Sequence, residues 1–325
     1  MKAIQIKETG GPEQLHLVDL PKPQAGPKDA LVKIAASGVN FIDVYFRTGL
    51  YKVELPAVLG MEAAGVVEGV GKEVTEVLPG DRVAYAMARG SYAEYAVVPA
   101  WQLVKIPDGI GLNSAAAAML QGMTAHYLTH STFQLNSGHT CLVHAAAGGA
   151  GRLIVQMAKM LGARVLGTTS TEAKAELARK AGIDEIIFYT KQDFEAEVKR
   201  LTAGRGVDVI YDSVGAPTYM QGLNCLRPRG MMVLFGQSGG KVPPIDPTIL
   251  NTKGSLFLTR PSLAHYCANR EELLWRAGDV LQWIGSGKLK LAIDRTCPLA
   301  QAAQAHRDLE SRATAGKILL IAEAS

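Results

Sequence analysis

The stretch TCLVHAAAGGAGRLIVQMAKMLG, residues 140–162, decides the fold. Thr140 to His144 form a short apolar run of the kind that makes a buried strand. The next seven residues, Ala145 to Gly151, are all alanine or glycine. From Arg152 onward apolar side chains fall at 153, 154, 157, 158 and 161, the spacing of one helix face. Strand, small-residue bend and helix in this order make the opening half of a βαβ unit. Small residues serve three ends there: the turn is tight, the backbone approaches a diphosphate, and the helix sits close to the strand. The N–H groups at the helix start have no intrahelical partner and bind the anion. The bend is therefore read as a dinucleotide loop built from Gly148, Gly149, Ala150 and Gly151.

The pattern continues on both sides. Strands are expected at 164–168, 185–188, 207–211, 231–235 and 255–259, with helices at 171–181 and 194–202 between them. Such alternation calls for a doubly wound parallel sheet covered on both faces. Upstream, residues 30–35, 64–70 and 81–85 read as strands separated by Pro-Gly and Gly-Asp punctuation, a β-rich region. The change comes near Ser114, where SAAAAMLQGMTAHYL is helix-prone. After Pro261 a helix at 270–285 and a strand at 317–322 are expected to pack back on the first domain, with Trp275 and Trp283 as anchors. Met157, Met160, Met231 and Met232 read as core filler, His144, Cys141 and Cys225 as buried residues.

Bulk properties agree. A chain of 325 residues is long enough for two domains. A net charge of +4 without a Lys/Arg run disfavours a nucleic-acid partner. The four cysteines, Cys141, Cys225, Cys267 and Cys297, are too scattered for a disulfide framework or a clustered zinc site. No apolar run reaches transmembrane length and MKAIQIKETGG lacks a signal-peptide core, so a cytoplasmic location without a membrane partner is expected. His126 and His130 have i, i+4 ligand spacing, but no third ligand is adjacent, and a surface or interface pair is the preferred reading.

Cofactor choice is written after the second strand. An NAD site usually ends that strand with an acid for the ribose hydroxyls. Here Thr168-Thr169-Ser170-Thr171 supply hydroxyls and Lys174 an ammonium, groups suited to a 2′-phosphate. Tyr189, at the end of the third strand, flanks the same place. Glu172 is the awkward residue; it would serve an NAD ribose, or simply suit the helix dipole. NADPH is the preferred cofactor.

Several segments resemble the zinc-free NADPH:quinone oxidoreductases, the medium-chain dehydrogenase/reductase group that includes zeta-crystallin. They are Ser37-Gly-Val-Asn40-Phe-Ile-Asp43-Val-Tyr45, continuing to Tyr51; Leu59-Gly-Met-Glu62; Gly90-Ser-Tyr-Ala-Glu-Tyr95; Gln121-Gly-Met-Thr124-Ala-His-Tyr127; Tyr211-Asp-Ser-Val-Gly215; Leu258-Thr-Arg260; and Glu310-Ser-Arg312. They span the chain in order. The resemblance implies an α/β protein with a GroES-like β-domain over residues 1–122 and 262–325 and a Rossmann domain over 123–261. It implies NADPH in the cleft between them and a homodimer through the edge of the Rossmann sheet. By the same resemblance Phe41, Tyr45, Gln121, Thr124 and Tyr127 attend the nicotinamide end, together with Ser213, Phe235, Gly236, Gln237, Ser238 and Arg260. Gly149 and Ala150 meet the diphosphate. Ser170, Lys174, Tyr189 and Arg312 surround the 2′-phosphate. Asn40, Asp43, Tyr45, Tyr51, Thr124 and Arg260 are the candidate catalytic residues. Zinc-dependent relatives of this group carry Cys where this chain has Asn40 and His where it has Met61, and neither replacement is a good zinc ligand here. No metal is expected. Without a Lewis acid the acceptor must already be electrophilic, a quinone or an activated alkene, and the protein supplies proximity and oxyanion donors. Quinone reduction is the first reading and NADPH-dependent alkene reduction the alternative. A non-enzymatic binding role, as some relatives have adopted, is the third.

Overall fold

A computed structural model describes residues 1–311 and 314–322. The chain divides into two compact units: Met1–Met123 with Cys267–Ser325, and Thr124–Tyr266.

The second unit is built on six parallel strands. Their spatial order is Glu185–Phe188, Arg164–Thr169, Thr140–Val143, Val207–Asp212, Leu226–Leu234 and Phe257–Thr259. In chain order this reads 3-2-1-4-5-6, the Rossmann arrangement. The sequence of strands reverses between Thr140–Val143 and Val207–Asp212, and such a switch point leaves a crevice beyond the strand ends. Leu142, Leu166, Ile210 and Met232 are fully buried in one core, which explains why the central strands read as unbroken apolar runs rather than alternating ones. The helix Gly149–Met160 follows the first strand and buries Leu153, Ile154, Met157 and Ala158.

The first unit carries a seven-stranded and a three-stranded sheet among the described residues. Its central member is the strand Asp29–Val39. One edge pairs with Glu62–Val70. Along the other edge, Asp29 to Lys33 pair with Tyr95–Pro99 and Ala36 to Val39 pair with Lys317–Ile321. The end of the chain thus closes the sheet beside Val39, next to the turn into the helix Phe41–Arg47. That helix opens with a reciprocal cap: the Asn40 side chain accepts from the backbone of Asp43, and the Asp43 carboxylate accepts from Asn40 N at 2.9 Å. The short strands Lys2–Ile6, His16–Asp19 and Ile293–Pro298 and the helices Phe41–Arg47, Tyr219–Cys225 and Ala302–Glu310 go beyond the elements expected from sequence. Among the described residues no helix is long and apolar enough to cross a membrane.

Three packing expectations are corrected. His126 is fully buried and stacks on the partly exposed His130, ring centroids 4.3 Å apart, so His126 itself is not a surface residue. Met160 is 41% exposed and fills no core. Trp275 is 47% exposed, with the Arg276 guanidinium 4.5 Å from its ring centre, so it does not anchor its helix. Leu273, Ala277, Val280 and Leu281 form the buried face of Arg270–Gly285 instead. Leu273→Ala is expected to cost about 2–5 kcal/mol of stability through cavity formation. Trp275→Ala should cost less, about 1 kcal/mol, since nearly half of the side chain is already exposed. Urea denaturation of the two variants checks the contrast.

Candidate functional site

In the second unit the bend after Thr140–Val143 is closed by Gly148 N donating to Ala145 O at 2.8 Å. Ala145 takes a left-handed φ of 52° to make it. Gly148 caps the helix Gly149–Met160 without a side-chain hydrogen bond, so the first N–H groups stay available for a ligand. A Cβ on Gly151 would collide with the Ala145 carbonyl oxygen. The helix therefore lies close to the bend, with the amides of Gly149, Ala150 and Gly151 in its first turn. The buried Thr169 hydroxyl, at the end of the neighbouring strand, has no partner in the protein.

The residues read as a 2′-phosphate site come from adjacent strand ends. Thr169 pairs with Phe188, Tyr189 N donates to Thr169 O at 3.2 Å, and the Thr190 hydroxyl donates to Ser170 O at 3.0 Å. Tyr189 is 45% exposed. Thr171 caps the next helix by accepting from Lys174 N, which sets Lys174 in the first turn beside Ser170. Glu172 is engaged along its own helix: Arg179 Nη1 reaches it at 2.5 Å and also pairs with Glu176. The acid that argued for NAD thus shares one exposed cation with Glu176. Arg312 lies outside the described residues.

The expected nicotinamide side of the same unit is a knot of loops. Phe235 N donates to Asp212 O at 2.9 Å. Ser238 donates to Ser213 O through both its amide, at 3.0 Å, and its hydroxyl, at 3.1 Å. A Cβ on Gly236 would stand 2.7 Å from Ser213 O, so this crossing requires glycine. Asp212, which sequence reading passed over, ties the knot: its carboxylate accepts from Val214 N, Gly215 N and the Thr218 hydroxyl at 2.7, 3.1 and 2.7 Å. Gln237, like its neighbours, is partly exposed. Arg260 donates to Leu234 O at 2.8 Å. Thr124 is partly exposed, whereas Tyr127 is buried and stacks on Tyr266 at 4.4 Å.

In the first unit the motif residues meet partners that sequence could not show. Lys317 is almost fully buried, and its ammonium donates to Asn40 Oδ1 and Glu62 Oε2, each at 2.6 Å. Asn40 Nδ2 in turn donates to Glu62 Oε2 at 2.9 Å and Gly38 O at 3.2 Å, and Leu120 N donates to Glu62 Oε1 at 2.6 Å. Both Asn40 amide hydrogens are therefore used. Asn40 thus bridges Glu62 and Lys317 within the protein. For zinc the donors do not fit. Asn40 Oδ1 and Glu62 already serve an ammonium, Met61 offers only a buried thioether, and no cluster of three His, Cys, Asp or Glu among the described residues is arranged around a metal.

Asp43, expected beside the nicotinamide, is held by its own neighbours. It is fully buried, and Oδ2 accepts from Asn40 N and from the Tyr92 hydroxyl, both at 2.9 Å. Behind Tyr92 the chain of bonds has a fixed direction. Arg47 can only donate, so His306 Nδ1, 3.1 Å from Arg47 Nη1, is the acceptor. His306 Nε2 then carries the proton and faces the Tyr92 oxygen at 3.2 Å. Arg47 completes the chain with a bidentate pair to Glu310, both bonds 2.9 Å. Tyr45 and Tyr51 meet edge-on with ring centroids 5.3 Å apart, and Phe41 lies 6.3 Å from Tyr45. Gln121 is partly exposed. Of the partners found here, Tyr92, Arg47 and Glu62 lie within segments that carried the resemblance, whereas His306 and Lys317 lie in none.

Burial pushes the Asp43 carboxyl up to about 7. Burial, with the Arg47 charge beside it, pulls the His306 imidazole down to about 3. The two act on stability in opposite senses. Asp43 holds its proton more tightly folded than unfolded, so its contribution is complete below about 4 and is lost as pH rises to about 7. His306 holds its proton less tightly when folded, so its contribution is complete above about 6.5 and is lost as pH falls toward 3. Melting temperature against pH should be flat through the overlap in the native chain. It should rise between pH 4 and 6.5 in Asp43→Asn and fall over the same span in His306→Gln.

Comparison with known proteins places this geometry. Residues 26–108 match the alcohol dehydrogenase GroES-like domain and residues 149–273 the zinc-binding dehydrogenase domain. The chain is 44% identical to a quinone oxidoreductase of Pseudomonas aeruginosa, covering 98% of this chain and 99% of that protein. It is 42% identical to a 2-haloacrylate reductase of a Burkholderia species, with 99% of each covered. The crystal structure of Escherichia coli quinone oxidoreductase complexed with NADPH superposes with a TM-score of 0.96 at 42% identity, covering 99% of this chain and 100% of that one.

Proposed function

The chain belongs to the quinone oxidoreductase family, and from that membership we infer that it is an NADPH:quinone oxidoreductase working without metal. The observation that carries the reading is the filled metal position: Lys317 and Glu62 occupy Asn40, so electrophilicity has to come from the acceptor. When bound, the reduced nicotinamide supplies the hydride. The chain's own residues do the rest. Amides of Gly149, Ala150 and Gly151 hold the diphosphate. Ser170, Lys174 and Tyr189, with Arg312, hold the 2′-phosphate. The Asp212-tied loop, with Ser213, Phe235, Gly236, Gln237 and Ser238, sets the nicotinamide edge, with Thr124 and Arg260 beside it. Tyr45 and Tyr51 line the acceptor side and offer hydroxyls to oxyanion charge that develops on the carbonyl. The hydroquinone monoanion left by hydride addition takes its second proton from water. The first unit serves as the catalytic domain and the second as the cofactor domain. The active form is a cytoplasmic homodimer joined through Phe257–Thr259, a reading supported by the 57% exposure of Phe257 on the last strand of the sheet.

The similarity to a 2-haloacrylate reductase supports a second reading, reduction of an activated alkene on the same residues. NADPH oxidation measured against 1,4-naphthoquinone, 9,10-phenanthrenequinone, a 2-alkenal and 2-chloroacrylate separates them. The highest kcat/KM is expected with the quinones, unchanged by a chelator. Faster turnover of the alkenes would replace the first reading with the second, and loss of rate on chelation would remove the metal-free mechanism. Lys174→Ala should raise KM for NADPH about ten-fold or more, the order expected for one charge-assisted phosphate contact. KM for NADH should stay within about two-fold, and equal effects on both cofactors would take Lys174 out of the 2′-phosphate site.

A further inference from the structure

A groove of about 840 Å³ opens in the first unit between the segment after the helix Phe41–Arg47 and the loop after the strand Arg82–Ala86. Tyr51, Lys52, Glu54, Arg89 and Thr9 line it. Tyr51 is the aromatic residue of its lining. Tyr51 packs edge-on against both Tyr45, at 5.3 Å, and Phe46, at 5.7 Å, and its amide donates to Tyr45 O at 2.9 Å. The Arg89 guanidinium lies 5.5 Å from the centre of the Phe46 ring. The ring steadies a planar cation at one end of an aromatic strip whose other end is Tyr45. Among the described residues no ion pair ties Arg89 or Lys52 to Glu54 or to any other acid. Both cations stand exposed at the groove, and two positive charges against the one of Glu54 leave it net positive. Its volume falls within the range of small-molecule sites and suits a one- or two-ring compound.

We propose that this groove is an acceptor subsite for flat conjugated molecules that bear an anionic substituent, with Arg89 pairing the carboxylate or sulfonate and Lys52 reinforcing it. A guanidinium presents parallel N–H groups that match such an anion in two places, while the ring system lies along Tyr51. The proposal rests on the reading of Tyr45 and Tyr51 as acceptor-facing, and it adds a basis for choosing among acceptors. Glu54 sets a limit, disfavouring a second anionic group on the same ligand.

The test pairs binding with turnover. Calorimetric titration of the NADPH-loaded enzyme with naphthalene-2-sulfonate and with the neutral naphthalene-2-carboxamide compares ligands of one shape. The sulfonate is expected to bind about ten-fold more tightly, an advantage that shrinks with added salt. Arg89→Glu should abolish that advantage and Arg89→Lys should keep part of it. In turnover, Arg89→Ala should lower kcat/KM for 1,4-naphthoquinone-2-sulfonate about ten-fold through KM, leaving 2-methyl-1,4-naphthoquinone within about two-fold. Equal affinity for the two ligands in the native enzyme, or an advantage that survives Arg89→Glu, overturns the proposal. Failure of every protein to reduce either quinone would instead remove the quinone reductase reading, and the calorimetry would still decide the subsite.

Discussion

A buried ammonium cannot stand alone, and the first unit is organised around that constraint. Lys317 sits in the interior with Glu62 and Asn40 at 2.6 Å. Removing either charge would strand the other away from water, which costs far more than the pair contributes. The pair therefore specifies as much as it stabilises. It requires the final strand to lie beside Val39, the strand at Glu62 to face it, and the turn at Asn40 to present its amide inward. Gly38 follows from the same arrangement, since a Cβ there would collide with the Glu62 carboxylate.

One step along the chain, the same turn begins a second polar array. Asn40 N is bound by Asp43, and Asp43 by Tyr92, His306 and Arg47 in sequence. Together the two arrays fix the start of the helix Phe41–Arg47, and Tyr45 and Tyr51 hang from that helix and its exit. The two tyrosines are thus carried on a helix and its exit, with the helix start held by buried hydrogen bonds. Fully satisfied buried networks have this rigidifying effect. Asp43 Oδ1 is the exception, without a partner, and it is the oxygen that takes the proton, because Oδ2 already accepts two hydrogen bonds.

The second unit solves a different problem with backbone alone. At its strand ends stand a bend in which Gly151 abuts Ala145, a crossing of Gly236 over Ser213, and a loop bound by Asp212. Side chains enter mainly at the rim, at Ser170, Lys174 and Tyr189. Anion binding by aligned amides needs no titratable group in the cradle, and its free energy comes from N–H groups the helix start leaves unpaired.

The sequence by itself determined the second unit almost completely. Its strands and helices are adjacent in sequence, their periods differ, and the small-residue bend at Ala145–Gly151 has one physical use. It also determined which residue types stand where a metal would be held. Only the tertiary structure decided what replaced the metal: Lys317 is 277 residues from Asn40 in sequence, and His306 is 259 from Arg47. No local pattern marks either one, because a lysine in Gly316-Lys317-Ile318 or a histidine on an amphipathic helix reads as solvent-facing until the partner is known. It likewise decided that His126 turns inward, that Trp275 turns outward, and that Asn40 and Asp43 are buried among hydrogen-bond partners. Burial and pairing are properties of the folded chain, and charge placement acquires its meaning only when distant segments share one low-dielectric interior.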